Sequence, residues 1–96
     1  MQKATFILGT KTEFLKYLKS RFPLYHLSNV FFRDIHYGVM SYLLEHGMKT
    51  GYPEAEEVAA AVTLALEKEG LFKKINGQTW LLMYPEFAMP RIQKSA

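Results

Sequence analysis

The segment LEKEGLFKKINGQTWLL, residues 66–82, predicts the carboxyl end of a helix followed by a β-hairpin. Strong helix formers lead to Gly70, and glycine is the residue that most often follows the last turn of a helix. Asn76-Gly77 comes next, and Asn-Gly is the preferred pair for a two-residue type I′ hairpin turn. With that turn, Lys73 lies opposite Trp80. The face of the hairpin that we expect against the helices then comprises Leu71, Ile75, Trp80 and Leu82.

The composition is typical of one small folded domain. The chain has 96 residues, and its 49% hydrophobic and 15% aromatic content lies far from the disordered range. It has no cysteine, which excludes a disulfide framework, a thiolate zinc site and a cysteine nucleophile. The apolar run near the N-terminus is too short for a signal-peptide core, and no window is long enough to span a membrane as a helix. We therefore expect a single domain over residues 1–96, soluble and cytoplasmic.

The N-terminal third predicts a short strand and a first helix. Residues Ala4–Leu8 are rich in β-branched and aromatic side chains, which favour a strand. Thr10 and Glu13 have the spacing of a capping box, which satisfies free N–H groups at a helix start. Pro23 disfavours helical geometry at the residue before it. The first helix should therefore end near Arg21.

A second helix is expected from Ser28 or Asn29 to Gly47. Its sequence is apolar almost all round, which is typical of a helix packed on several sides. Gly38 costs about 1 kcal/mol of helix propensity relative to alanine. Close approach of another backbone is the expected reason for a glycine at that position.

A third helix is expected over residues 53–69. Pro53 suits its first position, where a missing N–H does no harm, and glutamates in the first turn are favourable against the positive helix end. After the hairpin, Pro85 and Pro90 predict an extended C-terminal tail over residues 85–96.

These elements give an α+β fold of three helices followed by a β-hairpin, with Ala4–Leu8 as a further short strand. The helix–helix–helix–hairpin order, and the join LEKEGLFKKINGQTWLL in particular, resembles the winged helix-turn-helix family. That resemblance implies a third helix in the major groove of DNA and wing lysines on phosphates.

The charge of the third helix argues against its binding to DNA. Residues 53–69 hold five glutamates and one lysine, a net charge of −4. Nonspecific DNA affinity depends on neutralising phosphates, so the polyanion would repel such a helix. If nucleic acid binds, the expected contacts are basic residues of the first helix and the hairpin: Lys11, Lys16, Lys19, Arg21, Lys73 and Lys74. Their alternative interpretation is ordinary solvated surface.

No catalytic or metal-binding pattern is present in the sequence. His26, His36 and His46 are ten residues apart, whereas paired helical ligands are three or four apart. No serine lies in a nucleophile elbow, and no glycine-rich loop has phosphate-binding spacing. We expect neither an enzyme nor a cofactor.

The aromatic content exceeds what a small core needs. The chain has six tyrosines, seven phenylalanines and one tryptophan, and aromatics and methionines are enriched at protein interfaces. The predicted interface comprises Tyr37, Tyr42, Phe87, Met89 and Ile92. The leading hypothesis is therefore a non-enzymatic module that binds another protein or a second copy of itself. One alternative is a nucleic-acid-binding transcriptional regulator that uses the basic residues above. The other is a small-molecule pocket between the second helix and the hairpin.

Overall fold

The fold is α+β, as the sequence predicts. A computed structural model describes residues 2–88, and within them the chain forms four α-helices and one three-stranded antiparallel sheet. In chain order the elements are α1 (Gln2–Gly9), α2 (Lys11–Arg21), β1 (Asn29–Phe31), α3 (Phe32–Glu45), α4 (Tyr52–Lys68), β2 (Phe72–Asn76), β3 (Thr79–Leu82) and a 3₁₀ turn (Pro85–Phe87).

The N-terminal segment is helical, so the strand predicted over Ala4–Leu8 is wrong. Ala4 and Ile7 lie one helical turn apart in α1 and are both buried, and α1 packs against α4. The third strand of the sheet is instead β1, Asn29–Phe31. Burial of one helical stripe has overridden the β propensity of these residues.

The sheet has the order β1-β3-β2, so β3 of the hairpin is the central strand. The hairpin forms where it is predicted, but its two loop residues are Gly77-Gln78 rather than Asn76-Gly77, because Asn76 pairs with Thr79. A bulge also lies between Lys74 and Asn76, so the strand pairing differs from the predicted one. Phe72 consequently pairs with Leu82, and Lys74 rather than Lys73 lies opposite Trp80. The inward face is therefore formed by Phe72, Trp80 and Leu82, whereas Ile75 is 53% exposed and Leu71 is only partly buried.

Helix α2 ends at Arg21, which confirms the effect predicted for Pro23. Its start differs from the predicted capping box, because the Thr10 side chain makes no cap hydrogen bond. The Thr10 hydroxyl instead donates to the Phe6 carbonyl at 3.1 Å and lies 2.7 Å from the hydroxyl of Tyr42. Thr10 thus joins α1 to α3 rather than capping α2.

Helix α3 begins at Phe32, directly after β1, and not at Ser28 or Asn29. Leu27 has a φ of +69°, a left-handed turn that leads the chain into β1. Gly38 meets a neighbouring element, as expected, but the neighbour is a side chain rather than a backbone. A Cβ at Gly38 would lie 2.3 Å from Cδ2 of Leu18, which projects from α2.

Helix α4 agrees with the prediction to within a residue at each end, with Pro53 in its first turn. Gly70 follows it with a φ of +82°, the left-handed conformation that glycine adopts freely. Residues on all four helices and the hairpin enclose the core, whose largest fully buried side chains include Phe14, Phe72, Ile7, Leu43 and Leu82.

Only the first part of the predicted tail falls within the described residues. Pro85–Phe87 forms a 3₁₀ turn rather than an extended strand, because Phe87 folds back into the core. Within residues 2–88, no helix has the length and apolar character that a membrane crossing requires.

Candidate functional site

The outer face of α3 carries exposed apolar side chains beside a groove. Ile35, Val39 and Leu43 are buried where α3 packs against α2 and α4. Tyr37 and Leu44 lie two helical turns apart on the opposite side, and they are 46% and 60% exposed. Helical spacing of i and i+7 therefore puts two large apolar side chains on one solvent-facing stripe.

A groove of about 490 Å³ runs along this stripe. One wall is the end of α2, the floor is α3, and the other wall is the loop that leads to α4. The lining residues, hereafter the α3 groove, are Arg21, Phe22, Tyr37, Met40, Ser41, Leu44, Lys49 and Thr50. Met40 and Phe22 are partly buried and pack against the core, so the floor of the groove is continuous with the protein interior.

Two cations lie in the walls of the α3 groove. Arg21 forms an ion pair with Glu45, with Nη2 and Oε2 3.1 Å apart, and the same carboxylate oxygen accepts a hydrogen bond from the Tyr17 hydroxyl. Lys49 is exposed and makes no ion pair with any residue in the described part of the chain. The groove lining itself contains no carboxylate among residues 2–88.

An aromatic cluster borders the α3 groove where α4 begins. The ring of Tyr52 lies 6.2 Å from that of Tyr37 and 4.2 Å from the buried imidazole of His36. The Nε2–H of His36 donates to the Tyr52 carbonyl at 2.9 Å, which fixes the start of α4 against α3. Charge on Tyr37, followed by a hydrogen bond between the two side chains, raises the pKa of Tyr52, and Arg33 acts in the opposite direction.

The predicted interface residues do not lie together. Tyr37 lines the α3 groove. Tyr42 and Phe87 are only 2% and 6% exposed, so both belong to the core and the structure removes them from the predicted surface. Tyr42 packs on Phe14 and Phe6, and Phe87 packs on Tyr84. Met89 and Ile92 lie outside the described residues.

Sequence reasoning missed most of the groove, in particular Phe22, Met40, Leu44 and Lys49. The available signal was the spacing of Tyr37, Met40, Ser41 and Leu44, which is that of one helical face. Because α3 is apolar almost all round, its sequence does not distinguish the face that the domain buries from the face that it leaves exposed.

The six predicted nucleic-acid contacts divide into engaged and unengaged groups. Lys11 forms an ion pair with Glu69, and Arg21 pairs with Glu45. The Lys19 amine lies 4.2 Å from the centre of the Tyr25 ring, a cation–π contact. Within residues 2–88, no ion pair is made by the exposed residues Lys16, Lys73 and Lys74.

Carboxylates dominate the exposed side of α4. Glu56 and Glu57 are exposed in its first half, while Glu67 accepts a hydrogen bond from the indole N–H of Trp80 at 3.2 Å. A depression of about 370 Å³ lies between α4 and the hairpin, and its lining includes Glu56, Glu67 and the 54% exposed Leu64. The negative charge predicted for this helix is thus on the surface of the molecule.

The three histidines, the remaining candidates for chemistry, make hydrogen bonds that hold the fold together. Each histidine ring bonds to backbone: His26 accepts from the Tyr84 N–H, His36 donates to Tyr52, and His46 donates to the Tyr42 carbonyl. No group of three metal-ligating side chains converges within the described residues. A depression of about 290 Å³ lies between the start of α3 and the hairpin, where the sequence analysis places the alternative small-molecule pocket. Its lining residues are Phe31, Phe32, Arg33, Asp34 and Gln78.

Comparisons with models of protein families, with curated proteins and with solved structures gave no significant match.

Proposed function

We propose that this chain is a non-enzymatic protein-interaction module on a winged-helix-like scaffold. The scaffold is supported by the element order α2, β1, α3, α4, β2, β3 together with the antiparallel sheet order β1-β3-β2. In that arrangement α4 is the third helix of the helical motif and β2–β3 is the wing.

The observation that carries the functional proposal is the α3 groove. Exposed Tyr37 and Leu44 stand beside the partly buried Phe22 and Met40, so apolar surface continues from the rim to the floor. Isolated exposed apolar side chains are normal, whereas a contiguous concave patch marks an interaction site. Aromatic and methionine side chains are also the types enriched in protein interfaces.

The charge on α4 supports protein rather than DNA as the partner. Glu56 and Glu57 are exposed near the N-terminal end of α4, the end that recognition helices direct at base edges. Pressing these carboxylates into an anionic groove adds repulsion where phosphate-binding proteins carry lysine or arginine. The scaffold therefore presents α3, rather than α4, as its binding surface.

Site-specific photo-crosslinking tests this function. A photoreactive residue at position 44 should form protein adducts in cells, and the same residue at position 64 should form far fewer. Leu64 is the matched control, because it is similarly exposed but lies on α4 outside the α3 groove. Leu44→Asp should abolish adducts from a probe at position 37, and Leu64→Asp should leave them unchanged. Equal adduct yields at positions 44 and 64 would refute the proposal.

A second candidate, a nucleic-acid-binding regulator, is favoured by the exposed amines of Lys16, Lys73 and Lys74, which make no ion pair with residues 2–88. Phosphate contacts release counterions, so affinity for a duplex should fall steeply as salt rises. The double variant Lys73→Glu, Lys74→Glu should abolish any band shift seen at low salt, while Lys68→Glu on α4 serves as the control. Absence of a shift with duplex and single strands at low salt would eliminate this candidate.

A further inference from the structure

We infer that the α3 groove binds an amphipathic helical segment of another protein that carries carboxylates beside its apolar stripe. This inference depends on the proposed function, because it specifies what the proposed docking surface recognises. Three properties of the groove lead to it: its length, the state of its backbone and its charge.

The length of the groove fits a helix with two or three apolar anchors. Tyr37 and Leu44 are seven residues apart in α3, which at 1.5 Å per residue corresponds to roughly 10 Å, or two turns. Partner side chains spaced i, i+4 and i+7 cover the same distance on one helical face. The volume of about 490 Å³ accommodates several apolar side chains but not a folded domain.

The helical floor of the groove offers no sheet edge for strand addition. Its floor is α3, whose amide and carbonyl groups bond within the helix, and the N–H of Phe22 donates to the Leu18 carbonyl at 2.8 Å. An extended peptide gains affinity by pairing with a free sheet edge, and all three strands lie outside the lining of this groove. An amphipathic helix satisfies its own backbone and needs only the apolar surface.

The charge of the groove selects an acidic partner. Arg21 and Lys49 are its two charged lining residues, and the ammonium of Lys49 makes no ion pair with residues 2–88. A carboxylate that flanks the partner's apolar stripe would lie within the field of Lys49, whereas a lysine there would be repelled. The hydroxyl of Ser41 already donates to the Tyr37 carbonyl at 3.1 Å, so charge is the main polar discriminator.

Charge also argues against the two occupants that this chain itself supplies. A second copy docked about a twofold axis would bring the same lining, in which Arg21 is already paired with Glu45 and Lys49 makes no ion pair with residues 2–88. The C-terminal residues 89–96 contain Arg91 and Lys94 and no acidic residue. Neither occupant would supply an uncompensated carboxylate for Lys49, and a separate acidic segment would.

The experiment uses the full chain and three synthetic helical peptides of about four turns. All three share one leucine stripe and differ only in the flanking residues, which are glutamate, glutamine or lysine. Fluorescence anisotropy of labelled peptides gives their dissociation constants. We expect the glutamate peptide to bind about two- to fivefold more tightly than the glutamine peptide, and the lysine peptide to bind most weakly, because exposed ion pairs contribute modestly. Added salt should reduce these differences.

Two charge reversals locate the effect. Lys49→Glu should reverse the order of the three peptides, whereas Lys68→Glu, an exposed reversal outside the groove, should preserve it. Leu44→Asp should weaken binding of all three peptides together.

Equal affinities for the three peptides, or a preference for lysine, would overturn the inferred chemistry but leave the proposed function standing. Dimerisation in sedimentation that Leu44→Asp abolishes, without peptide binding, would make a second copy the occupant and would also overturn the inference. If the chain neither bound a peptide nor dimerised, that result would count against both the inference and the proposed function.

Discussion

Cδ2 of Leu18 occupies the space that a side chain at Gly38 would need, only 2.3 Å from the position of its Cβ. This relationship sets how closely α2 approaches α3, and therefore where the end of α2 forms a wall of the α3 groove. Leu18 is fully buried, so its side chain has little freedom to move away.

Gly38→Ala should destabilise the protein, although the same change in an exposed helix stabilises by about 1 kcal/mol. Overpacking in a filled interior typically costs about 1–3 kcal/mol. We expect a net loss of about 1 kcal/mol in the free energy of unfolding, measured by urea denaturation. Gly9→Ala in α1 is the matched control, since its Cβ would meet nothing within 4 Å. If both variants were equally stable or more stable than the parent, the contact with Leu18 would be energetically unimportant.

Glu67→Ala should destabilise the contact between α4 and the hairpin. It removes the acceptor of the Trp80 indole N–H, and an unpaired polar group at a side chain only 4% exposed costs about 1–3 kcal/mol. Glu67→Gln keeps an oxygen acceptor and should lose less. Trp80 is the single tryptophan, so its fluorescence reports this site directly. Glu57→Ala on the exposed side of α4 should change stability by less than about 0.5 kcal/mol.

The titration of Tyr52 should respond in opposite directions to two neighbours. Tyr37→Phe removes the largest cause of its raised pKa and should bring that pKa back towards the ordinary value of 10.0. Arg33→Ala removes a cation that stabilises the phenolate and should raise the pKa further. Ring carbon chemical shifts in NMR, assigned with Tyr52→Phe, give both values. Shifts in the same direction for both variants would contradict the described arrangement.

The sign of the pH dependence follows from this shift. Because the pKa of Tyr52 is raised, the folded chain holds the phenol proton more tightly than the unfolded chain does. The associated stability is present below the ordinary pKa near 10.0 and is lost as the pH rises through the folded-state pKa. In the Tyr37→Phe variant, this loss should be smaller and should end at lower pH, because the folded-state pKa lies closer to 10.0.

Local sequence signals predicted the elements that depend on one or two residues. Pro23 ends α2 at Arg21 and Gly70 follows α4, as expected, and the predicted hairpin forms with its two loop residues one position later, at Gly77-Gln78. In each case the backbone restriction of the residue itself sets the outcome. The fold class followed from these signals.

Features that depend on tertiary packing were not predicted. The bulge beside Asn76 places Phe72 rather than Ile75 in the core, and nothing in the local sequence specifies that extra residue. The three-residue strand β1 is too short to show a period and merges with the apolar run of α3. For α1, the partner helix decided between two conformations that its residues both allow.

The candidate site was predicted only in part, for the same reason. Tyr37 was identified because it is aromatic, and so was Tyr42, although one lies in the groove and the other in the core. Helix α3 is apolar over most of its circumference, so the positions of α2 and α4 determine which of its large apolar side chains remain at the surface.

The direct junction of β1 and α3 has a mechanical consequence. Phe31 ends the strand, Phe32 begins the helix, and the N–H of Phe32 donates to the Gln78 carbonyl at the hairpin turn. Because no loop separates β1 from α3, α3 cannot change its angle without distorting the strand pairing between β1 and β3. A displacement of α3 should therefore be felt at the tip of the hairpin, where Phe32 is bonded to Gln78.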